Sequence, residues 1–190
     1  MISAADSAHM ARALQLAARG RHGAHPNPRV GCVIVRDGAV VGEGWHALAG
    51  EAHAEINALD TAGDAARGAT AYVTLEPCAH HGKTPPCADA LIAAGIGRVV
   101  VAMQDPYEEV AGRGLAKLLE AGIETEVGLM QAAAEALNEG FIGRVTHGRP
   151  FVRLKVAASL DGATAMASGE SQWITGPEAR RDVQALRARS

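Results

Sequence analysis

Apolar residues recur along this chain in two rhythms, and the alternation between them predicts its architecture. Across residues 3–19, Met10, Leu14, Ala17 and Ala18 fall at helical spacing. Asp6 or Ser7 is placed to cap that helix and Gly20 to end it. Residues 30–36 and 40–45 are rich in valine, and Asp37-Gly38 between them is a hairpin signal. Residues 51–62 read as a helix with Ile56, Leu59 and Ala62 on one face. A strand follows at 73–75, then a helix at 88–94, entered through Pro85-Pro86 and ended by Gly95. Further strands are predicted at 99–103 and 124–127, and further helices at 112–121 and 131–138. Strands alternating with helices imply a mixed or parallel sheet covered on both faces, a three-layer α/β/α domain. Residues 140–150 read as a linker. Beyond it the pattern restarts, with a strand at 151–158, a short β-like run at 173–175 and a helix at 177–189. These last forty or so residues are too few to close a core of their own.

Composition narrows the partners. The chain has 190 residues, 48% apolar, with a formal net charge of −3, so it can bury a core and carries no electrostatic footprint for nucleic acid or an anionic membrane. Aromatic residues at 3% leave little for stacking on single-stranded bases. No apolar run approaches the roughly 18 residues of a membrane span. Three cysteines argue against a disulfide framework and for a reducing compartment, so a cytoplasmic location is expected. Cys32, among Val and Ile, reads as a buried core thiol.

The other two cysteines have chemistry. His53-Ala54-Glu55 is followed by Pro77-Cys78 and then by Cys87. One histidine and two cysteines supply three ligands of a tetrahedral zinc, and a fourth position left to water makes such a site catalytic. Zinc lowers the pKa of its water to roughly 7, and Glu55, two residues past the histidine, can shuttle the proton. His-x-Glu, then Pro-Cys and a second Cys, is the signature of zinc-dependent nucleobase deaminases. A closed structural site is the alternative, and it needs His80 or His81 as a fourth ligand. Cys87 falls near a predicted helix start, which favours its thiolate. Eight residues separate the cysteines, with donors at His80, His81, Lys83 and Thr84. Such a loop suits an anionic substrate such as a phosphorylated, nucleotide-like pyrimidine, or else is simply solvated. Pro26-Asn27-Pro28 either aims the Asn27 amide or is only a turn. His46 reads equally as a partner within the fold or a substrate contact.

Several longer stretches resemble the RibD family of bifunctional riboflavin-biosynthesis proteins. They are PNPRVGC at 26–32, GEGWH at 42–46, HAE at 53–55, TLEPC at 74–78 running on to Cys87, and VAG at 110–112. Downstream, KVAASLDG at 155–162 and GESQWITG at 169–176 look like the opening of that family's reductase domain. The resemblance implies a cytidine-deaminase-like domain over 1–147 and a truncated, dihydrofolate-reductase-like α/β segment over 148–190. It implies deamination of a diaminopyrimidine ribotide phosphate, a small-molecule partner, and then NADPH-dependent reduction of the ribosyl group by the reductase domain. It makes His53, Cys78 and Cys87 zinc ligands and Glu55 the catalytic shuttle. Asn27, His46, His80, Lys83 and Asp105 match deaminase substrate contacts, and Ser171 and Arg187 match reductase substrate contacts. Ala157 and Trp173 match NADPH contacts. It also implies a homo-oligomer. The chain departs from the family at His25, at Ala79 and at Tyr107-Glu108, where Asn-Pro is usual. Most of the reductase domain is missing, so this polypeptide is expected to reduce nothing by itself. Two other readings compete: a zinc deaminase acting on cytidine or on adenosine in tRNA, and a non-catalytic zinc domain.

Overall fold

The first helix, α1 (Ala4–Ala17), is capped by Ser3 and not by Asp6 or Ser7. Ser3 Oγ accepts from the Asp6 amide at 3.1 Å, and Asp6 Oδ2 accepts from the Ser3 amide at 2.7 Å, a reciprocal capping box. Asp6 serves as the third helical residue instead of the cap, which frees its Oδ1 to accept from Tyr72 Oη and Arg98 Nη1, both at 2.7 Å. This computed structural model describes residues 2–80, 85–108 and 110–187. They fall into two compact units, Met1–Arg149 and Pro150–Ser190.

In the first unit β1 (Gly31–Arg36) and β2 (Ala39–Trp45) form an antiparallel hairpin. Asp37 and Gly38 both take left-handed φ, 51° and 78°, which is what a two-residue turn of this hand demands. The chain continues through α2 (Ala54–Ala62), β3 (Thr70–Val73), α3 (Cys87–Ala93), β4 (Arg98–Val101), α4 (Arg113–Glu120), β5 (Glu124–Val127), α5 (Gln131–Leu137) and α6 (Glu139–His147). The sheet order is β2-β1-β3-β4-β5. β1 is antiparallel to β2 and β3, while β3, β4 and β5 are parallel. Side chains alternate along β1: Cys32 and Ile34 enter one core with Ala58 of α2, Leu91 of α3 and Leu118 of α4. Val33 and Val35 enter the other with Met10 and Leu16 of α1 and Ala134 of α5. The result is the three-layer α/β/α domain with a mixed sheet, and Cys32 is fully buried in it.

The sequence reading departs most from the structure at two places in this unit, with smaller shifts at other element ends, such as α2 starting at Ala54 and β4 ending at Val101. β3 ends at Val73, because Thr70–Val73 is the stretch that pairs with both β1 and β4. Residues 140–150 are not a linker, since α6 occupies most of them. Two glycines, Gly140 and Gly143, lower the local helix propensity. Tertiary packing overrides it: Ile142 packs on the second core, and the Asn138 side chain bonds the Arg29 backbone in both directions, at 2.8 and 3.1 Å.

In the second unit the helix of the sequence reading forms, as α7 (Pro177–Arg187). The strand expected at 151–158 does not, and 173–175 lies in a turn. A strand is stabilised by the ladder of a neighbour, and among the described residues none pairs here; Val152 and Leu154 are 82% and 88% exposed.

Candidate active site

The site is built where α2 meets β2. Gly42 and Gly44 leave the strand without side chains beneath that helix, so backbone touches backbone. A Cβ on Gly44 would overlap Ala54 O and stand 2.5 Å from Ala58 N, and one on Gly42 would overlap Ala58 O. This contact fixes the helix start, where His53 is the cap residue and Glu55 lies in the first turn, 3% exposed. From the far side come Cys78, shortly after β3, and Cys87, the first residue of α3.

His53 Nδ1 is 3.2 Å from Cys87 Sγ and 3.7 Å from Cys78 Sγ. Nitrogen and sulfur ligands on one tetrahedral zinc stand about 3.6 Å apart, given the usual bond lengths. The ligand atoms of His53, Cys78 and Cys87 all lie within 4.8 Å of one another, and among the described residues this is the one such group. The donor set and its spacing therefore fit zinc, with no fourth ligand among the described residues. The Cys87 amide also donates to Cys78 Sγ at 3.3 Å. Hydrogen bonding with the Cys87 side chain, reinforced by His53, holds the Cys78 thiol below its ordinary pKa. Hydrogen bonding with Cys78 raises that of His53. Burial, with the nearby charge of Cys78, pushes Glu55 up to about 7, a value suited to moving protons in both directions near neutrality.

The trio opens on a cavity of about 440 Å³. Its polar wall brings together Asn27, His46, Glu55, Glu76, His80 and Asp105. His46 is buried, and its two nitrogens are assigned by their neighbours. Nδ1 donates to Ala52 O at 3.1 Å, so Nε2 accepts from Asn27 Nδ2 at 3.1 Å. Burial lowers its pKa and keeps the ring neutral. Asn27 closes a turn, its amide donating to Ala24 O at 2.8 Å. Asp105 accepts from the Tyr107 amide at 2.9 Å, and burial, aided by the charge of Glu76, raises its pKa to about 6. The apolar wall includes Pro26, Pro28, Leu75, Val110 and Phe141.

His53, Cys78, Glu55, Asn27, His46, His80 and Asp105 thus share one cavity, with Cys87 buried behind it. Lys83 lies outside the described residues, as do His81 and Thr84. Ala157, Ser171, Trp173 and Arg187 belong to the second unit. There Trp173 lies under the Arg180 guanidinium at 4.2 Å, and Arg187 donates to Gln184 Oε1 at 3.3 Å. Glu76 and Phe141 are cavity residues that the sequence reading did not single out. The one signal for Glu76 is its place just before Pro77-Cys78; Phe141 lies within 140–150, whose sequence reads as a linker.

The fold and the trio define an α/β/α domain organised around a three-ligand metal position. The chain belongs to the family described as the cytidine and deoxycytidylate deaminase zinc-binding region, which it matches over residues 3–103. Residues 150–190 match the RibD C-terminal domain. The chain is 66% identical over 185 residues to riboflavin biosynthesis protein RibD of Escherichia coli, covering 97% of this chain and 50% of that protein. It superposes on RibD of Acinetobacter baumannii with a TM-score of 0.92 at 57% identity, covering 98% of this chain and 52% of that one. A Thermotoga maritima structure, described as a diaminohydroxyphosphoribosylaminopyrimidine deaminase/5-amino-6-(5-phosphoribosylamino)uracil reductase, also gives 0.92, at 45% identity over 96% of this chain and 53% of that one. The chain spans about half the length of the relatives it matches.

Proposed function

We propose that this chain is the zinc-dependent deaminase of a riboflavin-biosynthesis protein, acting on diaminohydroxyphosphoribosylaminopyrimidine. The observation that carries the reading is a nearly dry carboxylate, Glu55, set beside a three-ligand His/Cys/Cys group that opens on a substrate-sized cavity. His53, Cys78 and Cys87 would hold the metal. Bound there, zinc supplies a Lewis acid that makes water nucleophilic near neutral pH. Glu55 takes a proton from the attacking water and gives it to the ring nitrogen beside the reacting carbon. It then carries the second proton to the exocyclic amine, which leaves as ammonia while the ring keeps a carbonyl. The neutral His46 holds the Asn27 amide in one orientation, so Asn27 and Asp105 present fixed hydrogen-bonding groups to the ring and its sugar. His80 at the cavity, and Lys83 three residues on in the sequence, would meet the phosphate.

By the same reading, residues 1–147 form the deaminase domain and 148–190 open an NADPH-dependent reductase domain. There Ala157 and Trp173 would meet the cofactor, and Ser171 and Arg187 the substrate. The match of 150–190 to the RibD C-terminal domain supports this. Three free cysteines support a reducing, cytoplasmic setting, and no helix among the described residues is long and apolar enough to cross a membrane. A homo-oligomer belongs to the proposal and is checked by sedimentation equilibrium. The deciding experiment is ammonia release from the diaminopyrimidine ribotide by the zinc-loaded chain and by Glu55→Gln. The variant is expected to lose roughly 10²- to 10⁴-fold in kcat while keeping its zinc. A zinc-bound parent that releases no ammonia from this ribotide sinks the assignment.

A further inference from the structure

Glu76 is a buried carboxylate, 3% exposed, at the point where β3 has ended and the chain runs on to Cys78. Its own amide donates to Met103 O at 3.0 Å, just beyond the end of β4. Both of its oxygens are spent on one neighbouring segment. Oε2 accepts from the amides of Asp105 and Gly112 at 3.1 and 3.0 Å. Oε1 accepts from those of Gly114 and Leu115 at 2.9 and 3.2 Å. Gly114 and Leu115 are the second and third residues of α4, and the Gly112 cap residue offers no side chain of its own. A carboxylate from the segment just past β3 therefore does the work of a missing N-cap, with the charge sign a helix start favours. Gly114 is needed for this approach, because a Cβ there would overlap Pro77 O and come within 3.2 Å of Glu76 Oε1.

The same four bonds hold the segment that carries Asp105, Tyr107 and Val110, all of which line the cavity. Among the described residues between the end of β4 and the start of α4, none belongs to a helix or strand that would fix this segment. We propose that Glu76 is the positioning residue of the site: by gripping both ends of the 105–112 segment it places Asp105 against the substrate. It touches neither the metal trio nor the reacting atoms in this role. The proposal rests on the deaminase reading for its substrate, but its physical content, one carboxylate holding one wall, stands apart from it.

Glu76→Gln tests it, because the amide keeps the shape and turns one acceptor into a donor facing N–H groups. In the zinc-loaded chain KM for the ribotide should rise roughly 10- to 100-fold, the usual scale for a group that orients a contacting residue, with kcat little changed and zinc still one per chain. Amide hydrogen exchange at 105, 112, 114 and 115 should quicken. Combined with Asp105→Asn, the two losses should fail to add, since both act through one contact. An unchanged KM, additive losses, loss of zinc, or a fall in thermal stability with normal KM overturns the proposal and leaves Glu76 a structural cap. If Glu76→Gln does not fold, Gly114→Ala prises the same contact from the helix side and must raise KM alike; an unchanged KM there overturns it. A parent that binds zinc and releases no ammonia refutes the substrate assignment instead. The exchange measurement then decides about Glu76: unaltered rates at the four amides overturn its hold on the wall.

Discussion

Adding one methyl group at Gly44 asks whether backbone contact between β2 and α2 is what aims His53 and Glu55. A Cβ at Gly44 would overlap Ala54 O and lie 2.5 Å from Ala58 N and 2.8 Å from Asn57 Cβ. Two of these three are main-chain atoms that no rotamer change can move aside, so α2 has to retreat by about 1 Å. Overpacking of this kind costs about 1–3 kcal/mol, offset by about 0.4–1 kcal/mol from the reduced freedom of the unfolded chain. The net expectation for Gly44→Ala is a loss of about 1–2 kcal/mol, or about 2–8 °C in Tm for a chain of this size. The helix start carries His53 and Glu55, the proposed metal ligand and proton shuttle, and a displacement of about 1 Å can cost on the order of 100-fold in rate. The assay is urea unfolding together with ammonia release. Gly143→Ala is the control. It lies inside α6, and outside its own helix turn the nearest heavy atom to its added Cβ is Arg149 O at 3.7 Å, so it should gain about 0.5–1 kcal/mol. If Gly44→Ala is as stable as Gly143→Ala and retains full activity, the close approach does not position α2.

Asp6 predicts an acid limit. The Arg98 guanidinium, with Tyr72 and Ser3, holds its carboxyl well below the usual carboxylate range. The ionised form is thus favoured by folding: its contribution is complete above the unfolded value of about 4 and is lost as pH falls through the native one. Asp6→Asn should lower the stability plateau near neutrality by about 3 kcal/mol, because it leaves Arg98 partly uncompensated, and should flatten the acid-side fall. Urea midpoints that track those of the parent at every pH would refute this. Metal removal should destabilise the first unit. At free zinc about a thousandfold above Kd the holo form gains about 4 kcal/mol, so a chelator should lower Tm and zinc should restore it. A chelated chain with unchanged Tm would contradict the ligand assignment.

The candidate metal ligands could be picked out because each is placed by short-range chemistry. His53 and Glu55 share the first turn of one helix, and Cys78 and Cys87 sit where a strand has ended and a helix begins. A small set of side chains at defined offsets is enough to write that arrangement into the chain. The layers were legible for a similar reason, since the alternation of Cys32, Val33, Ile34 and Val35 assigns each to one face or the other. The capping box shows the limit. Asp6 looked like a cap because caps are acidic or hydroxylated, yet its carboxylate answers to Tyr72 and Arg98, 66 and 92 residues away.

What the sequence hid is held from a distance. α6 has glycine at two of its nine positions and no fully buried residue, so neither propensity nor a strong apolar stripe announces it. It is secured by Ile142 on the core and by the Arg144 guanidinium bonded to Pro26 O at 3.0 Å. Through these contacts Phe141 becomes part of the cavity wall. Glu76 is the sharper case. Its four partners lie 29 to 39 residues downstream, and every one of them is a backbone amide, which any residue but proline supplies. The donors themselves therefore carry no residue-type signal; Gly112 and Gly114 mark only a helix start without its own cap and a close approach. Side chains that meet a metal leave a pattern of residue types, whereas a side chain that meets main chain leaves one only at its own position. The candidate metal group could accordingly be read from the chain, while the carboxylate that grips the cavity wall needed coordinates.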